Sequence, residues 1–181
     1  LNNALEKFGF TIDRASHLQT YDGLPTNAKL SILSEVQGLP FKLHPVINAL
    51  KQSYTMSIAY NTCKPIFQVQ YCLSKLKAQG FVLACCSNSI RPTIETFLKL
   101  SGLLSYFDLI LSNEDVQNPK PDPEIYTSAM DNLGLRPNQC LVVEDNPNGV
   151  KAAKASMAHV HVVADPSQVT YDSLSSKIHS L

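Results

Sequence analysis

Cys140-Leu141-Val142-Val143-Glu144-Asp145-Asn146-Pro147 decides the architecture. Four consecutive residues with no polar side chain are too few for a helix and suit a strand buried on both faces. Two carboxylates close the run, and Asn146-Pro147 opens a helix, with Asn as cap and Pro as the first helical residue. A strand that ends in acids and feeds a helix is one half of a βαβ unit.

The same grammar repeats outward from that point. Phe81-Val82-Leu83-Ala84-Cys85-Cys86 is an apolar run ending in Ser87-Asn88, with a helix predicted to open near Pro92. Leu109-Ile110-Leu111 and Val160 to Val163 are further short strands. Between them lie helical patterns: Val69, Cys72, Leu73 and Leu76 before Gly80; Ile94, Phe97 and Leu98 before Gly102; Tyr126, Ala129, Met130 and Leu133 before Gly134, with Asp122 the expected N-cap. Continuously apolar strands alternating with amphipathic helices predict an α/β fold, a Rossmann-like parallel sheet with helices on both faces.

Residues 1–62 read differently and contain only helical patterns. Leu30, Leu33 and Val36 share one predicted face after Pro25-Thr26, and Val46, Ile47, Leu50 and Tyr54 share another after Pro45. Tyr60 to Pro65 reads as a linker, with Pro65 a first helical residue. The expected division is a helical domain over 1–62 and a sheet domain over 63–181.

Composition narrows the function classes. Apolar residues make up 44% of the 181 and charged residues 17%, which suits a folded core rather than disorder. Formal net charge is zero, so nothing marks a nucleic-acid surface, and no apolar stretch is long enough to span a bilayer. Five cysteines, an odd number without a Cys-x-x-Cys pair, predict reduced thiols in a cytoplasmic protein. The five histidines lack a metal-ligand spacing, and His159 and His161 are expected to face solvent.

Three groups carry candidate chemistry. Ser87 and Asn88 offer a hydroxyl and turn amides at a strand-to-helix junction, where anions bind, although a plain cap would look the same. Lys120 stands in Asn118-Pro119-Lys120-Pro121-Asp122-Pro123, a loop stiffened by prolines around one cation, suited to offsetting charge on a phosphoryl group. Glu144 and Asp145 offer hard oxygen ligands of the kind magnesium prefers. Open parallel sheets collect ligands at the carboxyl ends of their strands, where all three groups fall. Asp22-Gly23 is not expected to be a nucleophile, because the preceding Ser16-His17-Leu18-Gln19-Thr20 is not an apolar strand.

Cys86-Ser87-Asn88-Ser89, Lys120-Pro121-Asp122-Pro123-Glu124-Ile125-Tyr126 and Val143-Glu144-Asp145-Asn146-Pro147-Asn148-Gly149-Val150-Lys151-Ala152-Ala153 together resemble the haloacid dehalogenase-like superfamily. The likeness is to its helical-cap branch, which includes β-phosphoglucomutase-like and phosphoglycolate phosphatase-like enzymes. Gly23-Leu24-Pro25-Thr26 resembles that branch's cap segment. The resemblance implies a phosphatase-type hydrolase of small phosphorylated metabolites that forms an aspartyl-phosphate and uses magnesium. It implies that Ser87 and the Asn88 amide bind phosphate, that Lys120 bridges phosphate and nucleophile, and that Asp145 holds magnesium with Glu144 in support. Residues 1–62 become the cap that selects the substrate.

The family's first motif, Asp-x-Asp on a first strand, does not occur in these residues. By resemblance that strand lies between the strand of Cys85 and the strand of Val142, and its loss exposes backbone groups on both. The sequence begins with Leu rather than Met. The expectation is that the sequence is truncated and the first strand belongs to a longer parent; the alternative is a repacked, catalytically dead chain. Either way the 181 residues alone are expected to be inactive. A non-catalytic binding or regulatory module is the competing reading, and a phosphomutase a third. Thr26 stands where an arginine would help with a second phosphate, which favours the phosphatase.

Overall fold

The structure is a computed structural model that describes residues 1–181. The chain separates into two compact units, Leu1–Cys63 and Lys64–Leu181.

The first unit is helical. It comprises α1 (Asn2–Leu5), α2 (Arg14–Ser16) running into a wider π turn over His17–Tyr21, α3 (Thr26–Gln37) and α4 (His44–Thr62). Leu5, Leu30, Leu33, Leu39 and Ile47 form its core with Tyr21. Gly38 ends α3 in the left-handed conformation at φ 71°, and its N–H reaches the Leu33 and Ser34 carbonyls. That cap turns Leu39 back so that its N–H meets the Leu33 carbonyl at 3.4 Å and its side chain is buried. The predicted faces need one correction. Val36 and Val46 are 70% and 48% exposed, because the buried stripe of each helix is only as wide as its few neighbours can cover.

The second unit holds α5 (Phe67–Ala78), β1 (Ala84–Cys86), α6 (Arg91–Leu100), β2 (Leu109–Leu111), α7 (Glu124–Leu133), β3 (Leu141–Glu144), α8 (Pro147–Ala155), β4 (His159–Val162) and α9 (Tyr171–His179). The expected linker is shorter than the sequence suggests. Helix α4 continues to Thr62 and α5 starts at Phe67, so Pro65 precedes the helix instead of opening it.

The strands pair in parallel as two separate ribbons. In one, Cys85 stands opposite Ile110; in the other, Val142 stands opposite Val160. Neighbouring residues on a strand point to opposite faces, and the packing follows. Cys86, Val142 and Val160 meet the core of α7 and α8, built on Ile125, Tyr126, Ala129, Ala152 and Ala153. Leu83 and Val143 meet Cys72, Leu76 and Leu174 of α5 and α9 on the other side. Helices therefore cover both faces of an α/β unit.

Strands β1 and β3 do not bond to each other. A slot of about 500 Å³ runs past both, lined by Leu83, Ala84 and Cys86 on one side and by Leu141 to Glu144 on the other. The slot explains why the strand expected over Phe81–Cys86 is regular only over Ala84–Cys86. Phe81 and Val82 are 38% and 48% exposed and line the slot, where no second neighbour holds them in a ladder. His159 and His161 are half-buried rather than solvent-facing. Their Nε2 atoms meet the Asn138 carbonyl at 3.2 Å and the Ser173 hydroxyl at 3.1 Å.

Candidate active site

Lys120 is the centre of the site. Only 7% of it is exposed, an unusual state for a lysine and one that demands partners. Its Nζ donates to the Cys86 carbonyl at 3.0 Å and to Glu144 Oε1 at 2.5 Å. The Tyr126 ring lies 4.6 Å from Nζ, close enough for its π face to stabilise the cation. The carboxyl end of β1, the proline loop, α7 and the carboxyl end of β3 thus meet at one ammonium.

The loop around Lys120 is held at both ends. The Asn88 side chain grips the backbone of residue 120, donating from Nδ2 to the Lys120 carbonyl at 3.0 Å and accepting from the Lys120 N–H at 3.0 Å. Glu124, in the first turn of α7, accepts from the Gln117 and Asn118 N–H groups at 2.8 Å each. The predicted cap is displaced by one residue. Helix α7 begins at Glu124 with Pro123 before it, and Asp122 Oδ1 accepts from the Glu124 N–H at 3.0 Å.

Ser87 sits at the end of β1, tied to β2 by its N–H to the Leu111 carbonyl at 3.0 Å. Its Oγ accepts from the Ser89 N–H at 3.1 Å, which folds a tight turn. The turn after β2 is bracketed to this region. Asn113 N–H donates to the Ser89 carbonyl at 3.1 Å, and the Arg91 guanidinium spans both Asp115 oxygens at 2.9 Å and the Ile110 carbonyl at 3.0 Å. Burial pushes the Asp115 carboxyl up, but bonds from Ser112 and Arg91 outweigh it and hold it below the usual carboxylate range.

Glu144 is saturated. Oε1 accepts from Lys120 and from the Tyr126 hydroxyl, both at 2.5 Å. Oε2 accepts from the Asp145 and Asn146 N–H groups at 3.2 and 3.3 Å. Burial raises its pKa, and the Lys120 charge with these donors more than reverses that, so the carboxyl lies below its ordinary value. Asp145, the next residue, is exposed.

Magnesium was expected on Asp145 and Glu144. No group of three or more His, Cys, Asp or Glu side chains gathers anywhere to hold a metal ion. Glu144 is committed to four donors, which leaves Asp145 the available carboxylate at this strand end. One carboxylate does not make a magnesium site, so the donor set of these 181 residues does not fit the ion by itself.

Gly23, Leu24, Pro25 and Thr26, expected to form a cap segment, lie in the helical unit. Gly23 turns the chain at φ 71°, Leu24 N–H meets the Tyr21 carbonyl at 3.3 Å, and buried Pro25 leads into α3 at Thr26.

The sequence reading missed two participants. Tyr126 was assigned to the buried face of a helix, and it is buried, but its hydroxyl and ring both serve the ion pair. A phenol six residues after the lysine, on a face otherwise apolar, was the available signal. Gly149 was no more than a flank of the acidic motif, yet a Cβ there would overlap the Glu144 carboxylate.

All five cysteines are free. Burial pushes the Cys86 thiol up to about 12, with the Lys120 charge opposing. The same burial raises Cys72, Cys85 and Cys140. A thiol whose folded pKa exceeds its unfolded value stabilises the fold fully below the unfolded value, and that contribution fades as pH rises toward the folded value. The second unit is therefore expected to weaken above about pH 8.5, by about 2 kcal/mol at pH 10 from Cys86 alone. Urea unfolding at pH 7.5 and 10 measures it, and Cys86→Ala should lose that share of the slope.

A family model described as haloacid dehalogenase-like hydrolase matches residues 1–163. A phosphoglycolate phosphatase of Nitrosospira multiformis is 29% identical over 150 residues, covering 81% of this chain and 66% of that protein. Pyrophosphatase PpaX of Bacillus velezensis is 38% identical over 82 residues, 45% of this chain and 38% of the relative. The chain thus spans two-thirds or less of these curated relatives. Among solved structures, β-phosphoglucomutase of Clostridium difficile superposes with a TM-score of 0.83 at 19% identity, over 99% of this chain and 87% of that one. CbbY of Rhodobacter sphaeroides, in complex with phosphate, gives 0.78 at 20% identity, over 91% and 76%. Those two likenesses concern the fold, whereas the family match rests on sequence along nine-tenths of the chain. By that match the chain belongs to the haloacid dehalogenase-like hydrolase family.

Proposed function

We propose that the protein to which this chain belongs is a phosphatase of small phosphorylated metabolites, working through an aspartyl-phosphate. The observation that carries the reading is the buried Lys120 ammonium, held at the carboxyl ends of β1 and β3 beside the Ser87–Asn88 turn. A fixed cation in a dry setting is what a crowded phosphoryl group and an attacking carboxylate require. Ser87 and the Asn88 N–H bind phosphate oxygens in this reading.

The slot supports the rest. Two unbonded strand edges flank an apolar gap with Glu144 and Cys86 in its lining. We place there a strand from outside these residues that delivers an aspartate beside Lys120. The aspartate oxygen attacks phosphorus, the P–O ester bond breaks, and the leaving oxygen takes up a proton from water to depart as alcohol. Water then cleaves the acyl phosphate, releasing phosphate and restoring the carboxylate. Magnesium belongs to the whole protein in this reading, with Asp145 as one ligand and the others supplied from outside this chain.

The helical unit acts as the cap in this proposal, with Gly23 to Thr26 as its substrate-facing segment. Burial holds the ammoniums of Lys29 and Lys51 below the ordinary lysine range, with the Asp22 charge opposing at Lys29. No helix is long and apolar enough to cross a membrane, and the free thiols support a cytoplasmic setting.

The test is to express the chain with its natural upstream coding sequence. Small phosphate esters, phosphoglycolate among them, are then assayed with magnesium. Turnover is expected, with kcat falling at least 100-fold in Lys120→Ala. No turnover across a broad panel sinks the reading and favours a non-catalytic module on the same fold.

A further inference from the structure

Tyr126 offers more than its place in the core requires. A phenylalanine would fill the same space between α7 and the strands, yet this side chain carries a buried hydroxyl aimed at the site's ion pair. That hydroxyl donates to Glu144 Oε1, the same oxygen that takes the Lys120 Nζ, each at 2.5 Å. The ring beneath lies 4.6 Å from Nζ. The other Glu144 oxygen is fixed by the backbone of Asp145 and Asn146. Space for the carboxylate exists because residue 149 has no side chain.

We propose that Tyr126 is a positioning residue for Lys120: its hydroxyl pins Glu144 Oε1, its ring supports the ammonium, and the two together fix the direction of the lysine's remaining N–H. This rests on the phosphatase reading for its catalytic consequence and on geometry alone for its structural one. The ammonium has three N–H donors. The Cys86 carbonyl and Glu144 take two, which leaves one for a ligand. If Glu144 could rotate about its side-chain bonds, the ammonium would follow its counter-ion and the third donor would wander. A carboxylate tied only by a flexible cation does rotate. One tied by a phenol on a rigid helix, and by two backbone amides, does not. Direction matters because electrostatic stabilisation of a transition state comes from donors already aimed when charge develops. Glu144 is in this account the lysine's counter-ion.

Two measurements test it. In the upstream-extended protein carrying ¹⁵N-lysine, exchange of the Lys120 ammonium protons with water is followed by NMR for the native protein and Tyr126→Phe. The phenylalanine keeps the ring and removes one oxygen. Exchange is expected to quicken about tenfold, the worth of one hydrogen bond to a charged group. Incorporating 3-fluorotyrosine at position 126, a stronger donor of nearly the same shape, is expected to slow exchange and serves if the phenylalanine variant folds poorly. Unchanged exchange in both variants overturns the proposal. In the upstream-extended protein, Tyr126→Phe is expected to lower kcat about tenfold while KM moves less than twofold. Equal losses in Tyr126→Phe and in a core substitution remote from Lys120, such as Leu174→Ala, would reduce Tyr126 to packing and overturn it as well. If the extended native protein turns over no ester, the phosphatase reading fails, and the exchange measurement still decides the role of Tyr126.

Discussion

Gly149→Ala destabilises the second unit by about 2–3 kcal/mol, against the usual direction for such a change. Gly149 lies in the first turn of α8 and is buried. Alanine in a helix ordinarily gains up to about 1 kcal/mol over glycine. Here the added methyl would overlap the carboxylate carbon and both oxygens of Glu144. A carboxylate is the far end of a flexible side chain and could often step aside. This one is tied by Lys120, Tyr126 and two backbone N–H groups, so moving it breaks a buried ion pair. Breaking such a pair costs about 3–5 kcal/mol, and the helix gain offsets only part. The melting temperature should drop by on the order of 10 °C. The decisive control is the same substitution in a Glu144→Ala background, where the obstacle is gone and alanine at 149 should stabilise. A Gly149→Ala protein as stable as the parent would show that Glu144 is not held where we find it.

Lys120→Met is the second large effect, about 3 kcal/mol of lost stability at pH 7. Methionine fills much of the lysine's volume but leaves Glu144 charged, 10% exposed at its side chain, and without its cation. The pH dependence carries the diagnosis. In the native chain burial raises the Glu144 pKa and Lys120 with its fellow donors overrides it, so the folded value lies below the ordinary one. Its stabilisation is then present above the unfolded pKa and is lost as pH falls through the folded value. Without Lys120, burial dominates and the folded value is expected to rise above the unfolded one. The variant then regains stability on acidification, as Glu144 takes up a proton, and its deficit should narrow as pH falls from 7 toward the ordinary glutamate value of about 4.3. Lys120→Met with Glu144→Gln should come within about 1 kcal/mol of the native chain, because a matched neutral pair needs no counter-ion. A deficit that stays constant from pH 7 to pH 4.5 would refute the buried-charge account. In the upstream-extended protein the double variant should remain inactive while being stable, which separates the lysine's chemical role from its structural one.

The fold was legible because the local signals agree with one another. The apolar runs at Leu109–Leu111 and around Val142 are too short for helices, and Gly80, Gly102 and Gly134 follow the helical patterns as stops. All three adopt positive φ, at 86°, 66° and 65°, which side chains resist. The errors fall where context overrides pattern. Phe81 and Val82 have strand composition, but a strand needs neighbours on its edges, and on the slot side β1 has none. Val36 continues a helical stripe that its small unit is too thin to bury.

The lysine loop and the acidic pair could be read as chemistry because their residue types are costly to explain otherwise. A cation flanked by three prolines and two carboxylates at the end of an apolar strand are not what packing selects. Tyr126 and Gly149 escaped because each has an ordinary local excuse, a core aromatic and a helical glycine. Their roles depend on what lies across the fold from them.

Element order and the parallel βαβ pattern followed from the order of the residues, because periodicity, caps and strand length act over a few neighbours. The partnership of Lys120 with Glu144, the double duty of the Tyr126 hydroxyl, the clearance at Gly149 and the slot between β1 and β3 were settled only by tertiary packing. The Lys120–Glu144 and Tyr126–Glu144 contacts join residues 24 and 18 positions apart. Burial then turns what would be a weak surface attraction into one that governs charge, shape and stability together.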